Sequence, residues 1–435
     1  MSVRILVGDV VQQLSTLPAN HVHLVVTSPP YWALRDYAVD GQIGRERELD
    51  CLGWATGAEC GECYVCALVK VFREVRRVLR HDGSVWLNLG DSYIAGSRSG
   101  KTGDKSTLEG SRQHQDVSKN AGPRIGSGSS FRRDRLPLRN VPHKSANGLK
   151  PKDMAGVPAR VVLALQRDGW YWRSEVIWHK RNPQPESVKD RPGRTHEQVF
   201  LLTKSRRYYY DWVATLQPVT GNAHSRGGGL GKKARDVARG EVRANASFSA
   251  ALRDVVGVRK LRTVWSISSK GFKGAHFATF PTDLVEPCLL SGTSEHGCCS
   301  MCGAPYRRLW KRGEPYSRQR ALSGADASGK YHGKATKHYE GTGAQDPSAL
   351  KQRILDGMRE ILTTGWKQTC KCSLSTPVPC VVMDTFFGSG TVGVVADKHG
   401  RDCIGIDINK NYAAMAIDRI AAARAKRLEK EHIAS

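Results

Sequence analysis

The stretch Thr27-Ser28-Pro29-Pro30-Tyr31-Trp32 closes an apolar run, Val22-His23-Leu24-Val25-Val26. Neither proline has a backbone N–H to give to a sheet, so the chain must leave that run stiffly. A rigid turn of this kind exposes carbonyl oxygens, the Ser28 hydroxyl and two aromatic faces. Such groups can hold an exocyclic amino group and stack on a base. A second constellation stands near the other end of the chain. Asp384 ends one apolar run, Phe386-Phe387-Gly388-Ser389-Gly390-Thr391-Val392-Gly393 follows as a glycine-rich turn, and Asp407 ends the next run. Gly388 and Gly390 let backbone approach a ligand closely, and an acidic side chain at the second strand end can take ribose hydroxyls.

Cysteine supplies the third kind of chemistry. The chain holds twelve, eight of them in two clusters: Cys51, Cys60, Cys63 and Cys66, then Cys299, Cys302, Cys370 and Cys372. Without the apolar region of a signal peptide, clustered cysteines point to metal rather than disulfides. Four thiolates suit tetrahedral zinc and leave no open coordination position, so such a site is structural. The second cluster reads as a zinc ribbon with Cys298 as a rival ligand. For either cluster the plainer alternative is inert thiols.

The elements that must position these residues read as alternating strands and helices, hence an α/β fold. Strands are expected at Val3–Val7, Val22–Val26, Ser84–Asp91, Trp170–Lys180, Glu197–Lys204, Val264–Ile267, Pro379–Asp384 and Cys403–Asp407. Helices are expected after Asp9, over about 65–80 with His81-Asp82-Gly83 as the stop, over 157–168, near 282–290 and from Lys410. Segments 95–150 and 213–262 are basic and rich in Gly and Ser, with no core of their own. The expected organisation is 1–94, 151–212 and 263–297 as one core, 95–150 as a flexible insertion and 213–262 as a candidate sequence-reading segment. Residues 298–373 then form a zinc-ribbon-like insertion and 374–435 the part with the glycine-rich turn.

Lys and Arg number 67 against 41 Asp and Glu, a formal charge of +26 over 435 residues. That balance calls for a polyanionic partner or an acidic surface. No apolar stretch approaches the roughly 20 residues of a membrane span, so nucleic acid is the favoured partner and a cytoplasmic setting is expected. Charge alone names neither DNA nor RNA.

The glycine pattern by itself fits a nicotinamide site as well as one for S-adenosylmethionine. With SPPY at a strand end and Phe-x-Gly-x-Gly after an acidic strand end, the chain resembles the amino-methylating DNA methyltransferases. Its motif order resembles their beta group, and it is most similar to phage and prophage members with TSPPYW near the start. The resemblance covers most of 3–94, 153–212 and 263–425. It implies a circularly permuted, Rossmann-like fold that uses S-adenosylmethionine and acts on double-stranded DNA in a bacterial or phage-infected cell, with a restriction endonuclease partner possible. It also implies that Ser28, Pro29, Pro30 and Tyr31 form the catalytic motif. Asp9, Phe280, Asp384, Phe386, Gly388, Gly390 and Asp407 fall on cofactor-binding positions, Phe280 within the stretch 277–281. Thr385 stands where the family usually has proline.

The chemistry implied is orientation. The amino nitrogen of a base is a poor nucleophile because its lone pair is delocalised into the ring. A turn carbonyl and the Ser28 hydroxyl accept its hydrogen bonds, and methyl transfer then runs in line. The base must leave the duplex stack, with Tyr31 as its stacking face. Trp32 either flanks this pocket or belongs to the core. A cytosine-C5 enzyme would need a nucleophilic cysteine after proline, and neither Pro287-Cys288 nor Pro379-Cys380 follows a strand suitably. Serine at 28 favours N4 of cytosine over N6 of adenine. An RNA amino methyltransferase and a catalytically inactive zinc-containing DNA-binding protein are the rival readings.

Overall fold

The computed structural model describes residues 2–34, 37, 39–94, 148–218, 258–269, 280–313, 360–373 and 376–434. Most of the segment 95–150, the Gly227-Gly228-Gly229 stretch, residues 277–279 and the middle of the second cysteine insertion lie outside the described residues. The chain divides into two units. One comprises 1–208, 263–289 and 381–435; the other comprises 209–262 and 290–380. The sequence-reading candidate and the zinc-ribbon-like insertion, separate in sequence, therefore share one unit.

In chain order the elements are β1 (Val3–Val7), α1 (Val10–Ser15), β2 (Val22–Thr27), α2 (Gly53–Thr56), α3 (Tyr64–Val78), β3 (Leu79–Leu89), α4 (Val157–Arg167), β4 (Tyr171–Lys180) and β5 (His196–Thr203). There follow β6 (Gln217–Pro218), β7 (Val258–Arg259), β8 (Val264–Ile267), α5 (Thr282–Gly292), β9 (Cys298–Cys299), β10 (Arg307–Arg312) and β11 (Ile361–Lys367). The chain ends with β12 (Pro377–Val378), β13 (Val381–Asp384), α6 (Thr391–Lys398), β14 (Asp402–Asp407) and α7 (Lys410–Ala434).

The first unit is built on one mixed sheet in the order β1-β14-β13-β2-β3-β5-β4-β8. From β1 to β3 along this order all pairs are parallel; β5 runs antiparallel to both β3 and β4. Every residue of β2 is buried, as a central parallel strand requires. Helices α3 and α4 turn Val69, Phe72, Val75, Val161 and Leu165 into the same core. From β13 the chain moves through α6 to β14 on one side, and from β2 it moves to β3 on the other. The crevice where an open α/β sheet holds ligands thus lies at the carboxyl ends of β13 and β2. Among the described residues no helix is long and apolar enough to cross a membrane.

One local expectation is corrected. His81-Asp82-Gly83 does not stop the helix: α3 ends at Val78, and β3 already runs through these residues. The β2–β3 pairing jumps from Val22↔Leu79 to Leu24↔Ser84, so the polar residues form an excursion within the strand. Arg80 Nε donates to Asp82 Oδ1 at 2.9 Å, holding that excursion together.

The second unit is described through short strand pairs: β10–β11, β12–β9 and β6–β7. Arg308 anchors it, donating to Asp211 Oδ2 at 2.8 Å, to Glu295 Oε2 at 2.5 Å and to Thr363 Oγ1 at 2.8 Å. Its guanidinium lies 4.4 Å from the Trp366 ring centre.

Candidate active site

A cavity of about 1240 Å³ opens in the first unit at the carboxyl edge of the sheet. Both motifs meet there, because their strands are neighbours. Thr27, the last residue of β2, donates from Oγ1 to Asp384 Oδ1 at 2.7 Å, and its hydroxyl lies 3.0 Å from that of Thr385. A buried hydroxyl pair thus ties the two strand ends where a proline would otherwise stiffen the loop.

Of the expected cofactor positions, Asp9, Phe280, Phe386, Gly388 and Asp407 line the cavity. Asp9 arrives because β1 pairs with β14, and the Gly8 N–H donates to the Asp407 carbonyl at 3.0 Å. Asp407 Oδ2 accepts from the Gly388 N–H at 2.7 Å and Oδ1 from the Asn409 N–H at 2.8 Å. Burial pushes the Asp407 carboxyl up against the pull of these two amides. Gly388 has φ +50°, a left-handed backbone that favours glycine.

Asp384 and Gly390 stand behind that wall. Asp384 is 1 % exposed and its Oδ1 also accepts from the Phe386 N–H at 3.0 Å, so it shapes the loop from beneath. Burial pushes its carboxyl up to about 7. Gly390 is required by φ +74° and by α7, where an added Cβ would lie 2.8 Å from the Ala416 Cβ. Its bareness serves helix packing, while the approach to the cavity falls to Gly388.

Ser28, Pro29, Pro30 and Tyr31 line the same cavity. Tyr31 is more constrained than a free stacking face. Its hydroxyl donates to Glu197 Oε2 at 2.8 Å and accepts from Asn88 Nδ2 at 2.9 Å. Asn88 Nδ2 also reaches Glu197 Oε2 at 3.0 Å, and the Ser28 and Tyr31 hydroxyls are 3.4 Å apart. Lys180 Nζ completes the chain on Glu197 Oε1. Burial, then the Glu197 charge, push the Tyr31 hydroxyl well above its usual range, so it stays an O–H donor. The ring lies where a side chain at position 90 would stand: a Cβ on Gly90 would be 2.4 Å from Tyr31 Cε2. Trp32 is core, 1 % exposed, with its indole N–H on the Glu46 carbonyl at 3.0 Å.

Asn88, Gly90, Lys180 and Glu197 are site residues that sequence reasoning missed. They gather because β5 is antiparallel, so its start lies level with the ends of β3 and β4: Leu89 pairs with Gln198 and Trp178 with Glu197. The available signal was Asn88, a polar residue between two core leucines in a strand.

Both cysteine tetrads assemble. The sulfurs of Cys51, Cys60, Cys63 and Cys66 lie within 4.8 Å of one another, as do those of Cys299, Cys302, Cys370 and Cys372. The first tetrad is in the first unit and the second in the other. Cys298 stands apart from the second tetrad, its thiol turned to the Val378 and Pro379 carbonyls at 3.5 and 3.6 Å. Cys288 lies within α5 with its thiol on the Leu284 carbonyl, as expected of a helix residue rather than a nucleophile.

A DNA methylase family model, that of the N6 and N4 methyltransferases, matches residues 22–299 and 373–418. The Type II methyltransferase M.Cfr9I of Citrobacter freundii is 32% identical over 415 residues, 95% of this chain and 86% of that one. The Type II methyltransferase M.SmaI of Serratia marcescens is 31% identical over 423 residues, 97% of this chain and 92% of the relative. With both motifs on one cavity and this match over most of its length, the chain belongs to the DNA methylases that modify exocyclic amino groups, N4 of cytosine or N6 of adenine, from S-adenosylmethionine.

Proposed function

We propose that this chain methylates N4 of cytosine within a short double-stranded DNA site. The observation that carries the reading is Ser28 lining the same cavity as Asp407 and Gly388. Serine gives the amine a neutral acceptor. Lys180 and Arg194, cations lining the same cavity, suit the O2 carbonyl of cytosine, for which adenine has only a C–H. Bound S-adenosylmethionine supplies a methyl group on a sulfonium, ready for in-line transfer. Each Asp407 oxygen that takes one amide N–H keeps a lone pair for a ribose hydroxyl. Ser28 Oγ and a carbonyl of the turn orient the amine, which gains the methyl and releases one proton towards solvent. Tyr31, held by Glu197 and Asn88, keeps its ring as a fixed wall against which the flipped base stacks. The basic second unit is the reader of the target site, and its Cys299 tetrad holds a structural zinc. The Type II class of the relatives suggests a cognate endonuclease for the same site.

The test is expression in a host without DNA methylation, followed by nucleoside mass spectrometry. N4-methylcytosine supports the proposal. N6-methyladenine overturns the base choice, and neither product overturns the activity.

A further inference from the structure

We propose that Cys51, Cys60, Cys63 and Cys66 bind one zinc ion, and that this ion positions the catalytic turn. The inference rests on the methyltransferase reading above for its consequence, although the site itself stands on geometry. Ideal tetrahedral Zn–S bonds of roughly 2.3 Å put sulfurs about 3.8 Å apart. Here Cys51 and Cys66 sulfurs are 3.5 Å apart, and those of Cys60 and Cys66 4.0 Å. A disulfide would need roughly 2.05 Å.

Backbone amides point at the sulfurs as they do at bound thiolates. Gly53 N–H reaches Cys51 Sγ at 3.3 Å, and Glu62 and Cys63 N–H reach Cys60 Sγ at 3.4 and 3.3 Å. Cys66 N–H reaches Cys63 Sγ at 3.4 Å. A neutral thiol is a weak acceptor and does not call for such a set. Residues 55–62 are all exposed, so no buried apolar surface explains how Cys60 is held against the other three.

From the tetrad two routes lead to the turn. Tyr64, fully buried between Cys63 and Cys66, donates its hydroxyl to the Pro30 carbonyl at 2.9 Å. The second route is the strap 44–49. On one side its Glu48 and Leu49 carbonyls accept from the Tyr64 and Val65 N–H at 3.0 and 3.1 Å. On the other side its Gly44 carbonyl accepts from the Ala33 N–H at 2.8 Å, and Glu46 takes the Trp32 indole at 3.0 Å. The metal fixes the start of α3, and α3 fixes the turn. Tyr64 is a positioning residue: it occupies the Pro30 carbonyl and leaves those of Ser28 and Pro29 for the amine.

The experiment uses the full chain and three readouts: metal by elemental mass spectrometry, methylation kinetics, and amide exchange over residues 31–34. Cys60→Ser should carry one zinc fewer than wild type, exchange faster over 31–34, and lose roughly tenfold or more in kcat. S-adenosylmethionine affinity should stay within about twofold, since the cofactor wall is untouched. Tyr64→Phe should keep its zinc, show the same faster exchange, and lose about tenfold in kcat with little change in KM. Undiminished zinc in Cys60→Ser overturns the site. Unchanged exchange over 31–34 in Cys60→Ser, or wild-type kcat in Tyr64→Phe, overturns the positioning role. If wild type methylated no DNA, the functional reading alone would fall, because metal content and exchange do not depend on turnover.

Discussion

The Cys51 tetrad rests on a helix whose inner face is buried in the main core, with Cys63, Tyr64, Val65 and Cys66 all part of it. The Cys299 tetrad includes one residue of a two-residue strand pair, β9–β12, in the unit that also holds the antiparallel β10–β11 pair. β10 is exposed or half-exposed along its whole length. On the zinc reading proposed above, the two sets of four cysteines would therefore serve different ends. Where a sheet and its helices already supply a core, a metal can only refine position. Where apolar burial is thin, a bound metal and the buried Arg308–Asp211 pair would have to supply the stability.

The largest effect expected from this contrast is on the second unit. Cys302→Ser combined with Cys372→Ser should remove about 10 kcal/mol of metal-linked folding energy and abolish amide protection across β10–β11. S-adenosylmethionine binding should persist. Cys60→Ser should leave the protection of β2, β3 and β13 intact, and loss of both units together would erase the contrast. Next is Arg308→Met, which strands Asp211, 6 % exposed, without its cation. That should cost about 3–5 kcal/mol in the unfolding of the second unit, read by denaturant titration.

In the first unit a comparable energy is tied to pH rather than to metal. Burial pushes the Asp384 carboxyl up to about 7 when folded, against 3.8 for the free group. The folded state thus holds the proton more tightly, and stability falls as pH rises from about 4 to about 7 and is flat above. Asp384→Asn keeps an Oδ1 for Thr27 and Phe386 and does not titrate. Its unfolding free energy should gain on the order of a few kcal/mol over wild type between these pH values, and parallel curves would refute the buried-carboxyl account. The smallest effect is catalytic. Glu197→Gln keeps an acceptor for Tyr31 but loses the charge pair with Lys180, so kcat should fall roughly 10–100-fold with cofactor affinity unchanged. An unchanged kcat would reduce the polar chain to scaffolding.

Much of the first unit was legible in the sequence. Apolar runs at Val22, Val381 and Cys403 gave their strands within a residue or two, because buried parallel strands read as continuous hydrophobic stretches. The exit after Thr27 was legible because proline cannot donate to a ladder. The helix stop at His81-Asp82-Gly83 was misread, since three polar or small residues look alike in a cap and in a strand excursion. Gly390 was read as facing a ligand because spacing cannot tell a glycine bare for a ligand from one bare for a helix.

Sequence alone determined which residues could do chemistry: a proline turn with a hydroxyl, a glycine loop between two aspartates, two sets of four thiols. These are local, set by backbone covalency and side-chain type. Tertiary structure decided what each group faces. Parallel pairing of β13 with β2 joined turns 357 residues apart through Thr27 and Asp384. Antiparallel β5 carried Glu197 to Tyr31, 166 residues away in the chain. Tyr64 was brought to Pro30, linking a cysteine tetrad to the proline turn. Such pairings depend on strand order and direction, which no local pattern encodes.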